Sequence, residues 1–205
     1  MRMPKETFLN LDEEKKQRII EASLNEFAEY TFNEVKLSNI IKASKIPRGS
    51  FYQYFEDKLD LFKYIFDLMA QEKMKYMGDL LPNTEKMPFI ELFEELYTRG
   101  IKFATSDTRY VKITRNLLLS GTELLKEIFG DNLELGKQFY IGYIESDKKL
   151  GRIREDVDSE LLAELVIQFT TNIAFDEIQK NNDFDVERMF QKSIKIIQML
   201  KKGIE

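Results

Sequence analysis

Cysteine and histidine are both absent from the 205 residues. The first absence excludes disulfide scaffolds, thiolate metal sites and cysteine nucleophiles. The second excludes Ser-His-Asp triads, Cys-His dyads and imidazole zinc sites. Glycine and proline are scarce, at nine and four residues, and long stretches without such punctuation favour helices. Long hydrophobic runs are missing too. No purely aliphatic run exceeds three residues, as in Leu117-Leu118-Leu119, against the roughly 18 that a membrane span needs. Met1 to Leu11 holds no apolar stretch of the length a secretory signal requires, so a cytoplasmic location is expected.

What is present fits one compact domain or two small ones, with 43% hydrophobic and 33% charged residues in a chain long enough to bury its own core. Net charge is −5, yet Lys36 to Lys58 carries five basic residues (Lys36, Lys42, Lys45, Arg48, Lys58) against Glu56 and Asp57. That local excess decides what a polyanion meets, because local rather than total charge sets the field.

Apolar spacing predicts an all-α fold. Asp12 before Glu13 and Glu14 suits a helix start, followed by Ile20, Leu24, Phe27 and Ala28 on one face. Leu37 to Ser44 and Arg48 to Phe55 read as short helices on either side of Lys45-Ile46-Pro47. Asp57 suits the cap of a long helix through Leu61, Phe62, Ile65, Phe66, Leu68 and Met69 to about Leu81. Pro82 to Pro88 reads as a loop. Helical patterns resume at Phe89 and again at Leu124, with turns at Gly130-Asp131 and Gly151-Arg152. Asp158 suits a cap for Leu162 to Ile173, and Val186 to Leu200 forms the last helix.

The chemistry sits in Lys36 to Phe55, KLSNIIKASKIPRGSFYQYF. Two short basic helices around a tight turn have the layout of a helix-turn-helix. Ile40, Ile41, Ala43 and Ile46 are expected to hold the pair together, with Phe51 and Phe55 inward. Arg48, Ser50, Tyr52, Gln53 and Tyr54 then point outward. Arg48 suits a phosphate or guanine, Gln53 an adenine edge, and the tyrosines phosphates or thymine methyls. Gly49 allows close approach to a groove, and Lys58 stands in the first turn of the next helix, a place that favours phosphate. Catalysis is not expected: carboxylate neighbours such as Glu13-Glu14 and Glu94-Glu95 lie about 100° apart on a helix and do not share a site. No metal or cofactor is expected either.

Residues from about Asp12 to Gln71 resemble the N-terminal domain of the tetracycline-repressor (TetR) type transcriptional regulators. The resemblance rests on Arg18-Ile19-Ile20-Glu21-Ala22, Phe27, the block Arg48-Gly49-Ser50-Phe51-Tyr52-Gln53-Tyr54-Phe55, and Lys58, Leu61 and Phe62 after it. Three positions depart from the pattern. Thr31 stands where a glycine usually ends the first helix, Lys36 where a threonine commonly begins the second, and Lys45 where the turn usually has glycine. In that turn Lys45 needs a positive φ, at a cost of about 1 kcal/mol. Lys36 and Ser38 become the candidate phosphate contacts at the start of the second helix.

The resemblance implies a DNA-binding domain over 12–71 and a helical effector and dimerisation domain over 72–205. It implies a homodimer on a near-palindromic DNA operator, assembled through the last two helices, with Leu162, Val166, Phe169, Ile173, Phe190, Ile194 and Ile197 as interface candidates. It also implies a pocket for a small apolar or amphiphilic effector, with Phe66, Phe93, Tyr97, Tyr110, Phe139, Tyr143 and Phe169 as lining candidates. The expected action is repression relieved by the effector. The alternative is an effector-independent or protein-responsive regulator whose second domain serves only dimerisation.

Overall fold

A computed structural model describes residues 4–78, 80, 87–130, 132–168 and 186–204. Among them all regular structure is helical: α1 (Glu6–Leu9), α2 (Glu13–Glu29), α3 (Leu37–Ala43), α4 (Arg48–Tyr54), α5 (Lys58–Met77), α6 (Phe89–Ser106), α7 (Thr108–Leu119), α8 (Thr122–Phe129), α9 (Asn132–Lys149), α10 (described over 159–168) and α11 (Val186–Ile204). No described helix is long and apolar enough to cross a membrane. Residues 169–185, with the expected Phe169 and Ile173, lie outside the described residues, as does most of the expected loop from Pro82.

The expected caps form. Asp12 accepts from the Lys15 amide at 2.8 Å, and Asp158 from the amides of Glu160 and Leu161, each at 3.0 Å. Asp57 accepts from the Asp60 amide, while the Asp60 carboxylate accepts from the amide of Glu56, each bond 2.8 Å. These pairings are local and satisfy the amides that helix starts leave open. Helix α5 ends at Met77 rather than near Leu81, because Gly78 takes a left-handed φ of 47°, a common way to end a helix.

The chain forms two compact units. The first comprises the chain to Met74 together with Ser106–Ile128. Its core holds Phe8, Ile19, Phe27, Ile40, Phe51, Phe55, Leu61 and Ile65, joined by Ile113 and Leu117 of α7. Ile20 is only half-buried and Ala43 is exposed, so the inward face of α2 runs through Ile19, Ser23 and Phe27 instead. Helix α7 is fastened to α2 at both ends. The Arg109 guanidinium donates to Glu21 at 2.6 Å and to Asn25 at 2.9 Å, and the buried Asn116 amide donates to the carbonyls of Phe27, Ala28 and Tyr30, each at 3.0 Å. Ser120 receives the Phe32 amide at 3.0 Å. A boundary at residue 72 thus follows chain order, whereas packing puts residues 106–128 with the N-terminal helices.

The second unit comprises Lys75–Thr105 and Phe129–Glu205. Its core contains Phe89, Phe93, Ile144, Ile153, Leu162, Ala163, Val166 and Ile197. Asp147, buried on α9, accepts the Phe89 amide at 2.6 Å and so closes the start of α6.

Candidate nucleic-acid interface

Phe51 and Phe55 are fully buried with ring centroids 5.6 Å apart, which pins α4 by one face. Arg48, Gly49, Gln53 and Tyr52, the last 45% exposed, occupy the opposite face, and Ser50 is half-buried. A Cβ at Gly49 would meet no protein atom within 4 Å. Nothing inside the fold therefore demands glycine there.

Helix α3 lies beside α4 with Lys36, Ser38, Asn39 and Lys42 exposed. The threonine hydroxyl usual at its start is replaced by Glu26 of α2, which accepts from the Lys36 amide at 3.1 Å and the Asn39 side chain at 2.9 Å. That bond leaves the Lys36 ammonium to face outward. The departure at Thr31 is solved similarly. Its amide and hydroxyl donate to Glu34 at 3.2 and 2.6 Å, holding that carboxyl below its ordinary pKa, and no left-handed residue is needed.

The turn is a Schellman closure. The Ile46 amide donates to the Ile41 carbonyl at 3.3 Å and the Lys45 amide to the Lys42 carbonyl at 3.1 Å. This geometry needs a left-handed residue before Ile46, and Lys45 supplies it at φ 54°, as the sequence required. Buried Ile41 and Ile46 sit at the two ends of the closure. The Lys45 side chain is exposed.

Two expected contacts are corrected. Tyr54 is 4% exposed, with its ring 6.0 Å from that of Phe8 and the Lys15 ammonium 5.5 Å from its centroid. It falls three residues after Phe51, on the same inward face, so it is a core ring rather than an outward donor. Lys58 is also turned inward. Its ammonium donates to the carbonyls of Phe32 and Val35 at 2.5 and 3.2 Å and lies 4.5 Å from the Phe32 ring centroid. Burial pushes its pKa down. It clamps the loop after α2 instead of waiting for a phosphate.

Sequence reasoning missed Lys5, Thr7 and Phe8, whose short helix packs against the end of α4. Phe8 is fully buried, 4.9 Å from Phe55 and 5.1 Å from Tyr64 between ring centroids. Its only sequence signal was a pair of apolar residues, Phe8 and Leu9, before the Asp12 cap. Lys42 and Lys45 entered the charge count without an assigned role, and both are exposed.

The expected effector residues divide between the units. Phe66 packs on Phe62 at 5.1 Å, and Tyr110 lies on α7, both in the first unit. In the second, Phe93 is core, and Tyr97 bonds Ser193 at 2.6 Å and stacks on Phe190 at 6.2 Å. Burial pushes the Tyr97 hydroxyl pKa up. Tyr143 meets Phe139 at 4.9 Å, with Phe139 38% exposed. A groove of about 380 Å³ beside α6 is lined by Glu91, Glu94, Glu95, Met87 and neighbours, and by none of the expected residues.

Three of the expected dimer residues are turned into this chain's own core. Leu162, Val166 and Ile197 are 6, 1 and 3% exposed inside this chain's own core, with Ile194 packed against them. Phe190 is engaged by Tyr97. Among the described residues of the same helices, the exposed large apolar side chains are Leu161, Leu165 and Met199, at 59, 39 and 71% exposure.

The resulting surface is a two-helix wedge with cations at its start and turn and polar side chains along one ridge, the form that enters a major groove. Residues 19–65 match the family described as bacterial regulatory proteins, tetR family. A curated relative, the uncharacterized HTH-type transcriptional regulator YhgD of Bacillus subtilis, is 25% identical over 85% of this chain and 90% of its own. A TetR family transcriptional regulator from Chloroflexus aurantiacus superposes with TM-score 0.74, at 25% identity over 99% of both chains. FadR of Bacillus subtilis, solved with stearoyl-CoA, has TM-score 0.72 at 21% identity, covering 92% of this chain and 99% of its own. Through its matched wedge, residues 19–65 carry the N-terminal module of the tetR family of bacterial regulatory proteins, and along its length the chain is similar to regulators of that family.

Proposed function

We propose that this protein is a sequence-specific DNA-binding transcriptional repressor, acting as a homodimer and released by a small amphiphilic effector. The observation that carries the reading is the ridge of α4, where Arg48, Tyr52 and Gln53 are exposed while Phe51 and Phe55 anchor the helix. Arg48 and Gln53 read base edges, Tyr52 takes a thymine methyl or a phosphate, and Ser50 a phosphate oxygen. Gly49 lets the backbone approach, and Lys36 and Ser38 hold the phosphates beside α3. One such helix buries too little surface for tight specific binding. Two copies joined through Leu161, Leu165 and Met199 supply two half-sites one helical turn, or a multiple of it, apart.

Helix α5 is continuous from Lys58 in the first unit to Met77 in the second. An effector that favours one setting of this helix shifts the population toward dimers whose reading helices no longer match the operator spacing. The fold accommodates an acyl-CoA in FadR, which supports an amphiphile as effector. The engagement of Phe93 and Tyr97 within packed side chains supports a second reading, in which the second unit only assembles the dimer.

Selection of bound sequences from a random duplex pool tests the proposal. Two inverted half-sites at a fixed spacing are expected. Recovery of no enriched sequence overturns it.

A further inference from the structure

The last carbonyls of a helix have no partner within it. In α4 each one finds a donor in turn. Phe51 is closed by the Phe55 amide at 2.9 Å. The next three are taken by the segment before α2: the Tyr52 carbonyl accepts from the Lys5 ammonium at 3.0 Å, the Gln53 carbonyl from the Thr7 hydroxyl, and the Tyr54 carbonyl from the Lys5 amide at 3.0 Å. Phe8, buried against Tyr54, Phe55 and Tyr64, anchors the segment that delivers these donors. The residues whose carbonyls are held include Tyr52 and Gln53, the two reading side chains of that last turn.

We infer that Lys5 and Thr7 are positioning residues for DNA reading: they fasten the final turn of α4 so that Tyr52 and Gln53 meet the bases in one fixed register. A seven-residue helix with its final carbonyls unpartnered frays readily, and a frayed end still offers charge to phosphates while losing its hold on base edges. The segment therefore governs discrimination more than overall attraction. Lys5 further supports the turn because a cation at a helix C-terminus is favoured by the dipole.

This inference rests on the DNA-binding reading, and the test separates their failures. The full chain and its Thr7→Val, Thr7→Ser and Lys5→Met variants are titrated onto the selected operator and onto random duplex, across salt, with melting followed in parallel. Thr7→Val is expected to lose about three- to tenfold in operator affinity, the worth of one hydrogen bond. Its random-duplex affinity, salt slope and melting temperature stay near wild type. Thr7→Ser, which keeps the hydroxyl, retains the wild-type ratio of operator to random affinity. Lys5→Met, which keeps the main-chain bond to Tyr54, lowers that ratio. An unchanged ratio in both Thr7→Val and Lys5→Met, or an equal loss on both duplexes, overturns the inference while leaving the DNA-binding reading intact. A wild-type chain that binds no duplex overturns the reading beneath it.

Discussion

Lys58 and Phe32 are tied twice, by an ammonium-to-carbonyl bond of 2.5 Å and by a cation–ring approach of 4.5 Å. With Val35 also held, Lys58 belongs to the scaffold of the reading head rather than to its contact surface. Lys58→Met is expected to cost about 1–2 kcal/mol, since two carbonyls lose a charged donor at a partly exposed site. The slope of affinity against salt stays unchanged. Lys36→Met does the reverse, keeping the melting temperature and lowering the slope by about one phosphate's worth. Salt titrations beside thermal melts decide this: a Lys58→Met variant that melts normally and loses slope shows the ammonium swinging out to DNA.

Lys45 holds a left-handed backbone at φ 54° inside the Schellman turn. Glycine adopts that conformation without the Cβ clash. Lys45→Gly is expected to stabilise the chain by about 1 kcal/mol. At this chain length the gain reads as a rise of about 2–4 °C in melting temperature. A lowered melting temperature would show that the side chain supports the turn by a contact outweighing its strain.

Acid sensitivity is expected where α7 meets α2. Arg109 donates to Asp107 at 2.6 Å and to Glu21 at 2.6 Å. Its bonds hold the Asp107 carboxyl below the usual value, and those carboxylates hold the guanidinium above its own. A carboxyl whose folded pKa is depressed stabilises fully above its unfolded value near 4, and this contribution vanishes as pH falls through the folded value. Stability measured by urea unfolding should decline below about pH 4, and Asp107→Asn should flatten that decline. An identical acid limb in the variant would assign it to other carboxylates.

On α10 the inward and outward leucines make a clean contrast. Leu165 is 39% exposed and Leu162 6%. Leu165→Glu should keep the helical signal yet shift the protein from dimer to monomer in sedimentation, with operator affinity falling accordingly. Leu162→Glu should unfold the second unit, because a carboxylate would enter a core that offers it no partner. A dimer unmoved by Leu165→Glu places the assembly face elsewhere.

Much of this architecture was legible. The caps at Asp12, Asp57 and Asp158, the positive φ of Lys45 and the inward Phe51 and Phe55 depend on neighbours within one turn. Tyr54 was legible too, since it stands at the helical spacing that places it with Phe51; only the ring of Phe8 that receives it is distant in sequence. Lys58 was not, because its acceptors are main-chain carbonyls of Phe32 and Val35, invisible to side-chain patterns. The division of the α10 leucines into inward and outward ones was hidden for a different reason. Leu161 and Leu162 are adjacent and equally apolar, so periodicity alone cannot rank which faces solvent. The role of α7 was likewise unreadable, as Asn116 looks in sequence like any polar residue on a helix.

Asn116 lies about ninety positions beyond the carbonyls of Phe27, Ala28 and Tyr30 that it holds. A chimera that transplants only residues 12–71 onto a foreign regulatory body would strip all three of their donor and leave Glu21 and Asn25 without the guanidinium of Arg109. The reading head is a discontinuous part, and exchanging it between regulators means cutting the gene in three places so that residues 106–128 travel with it.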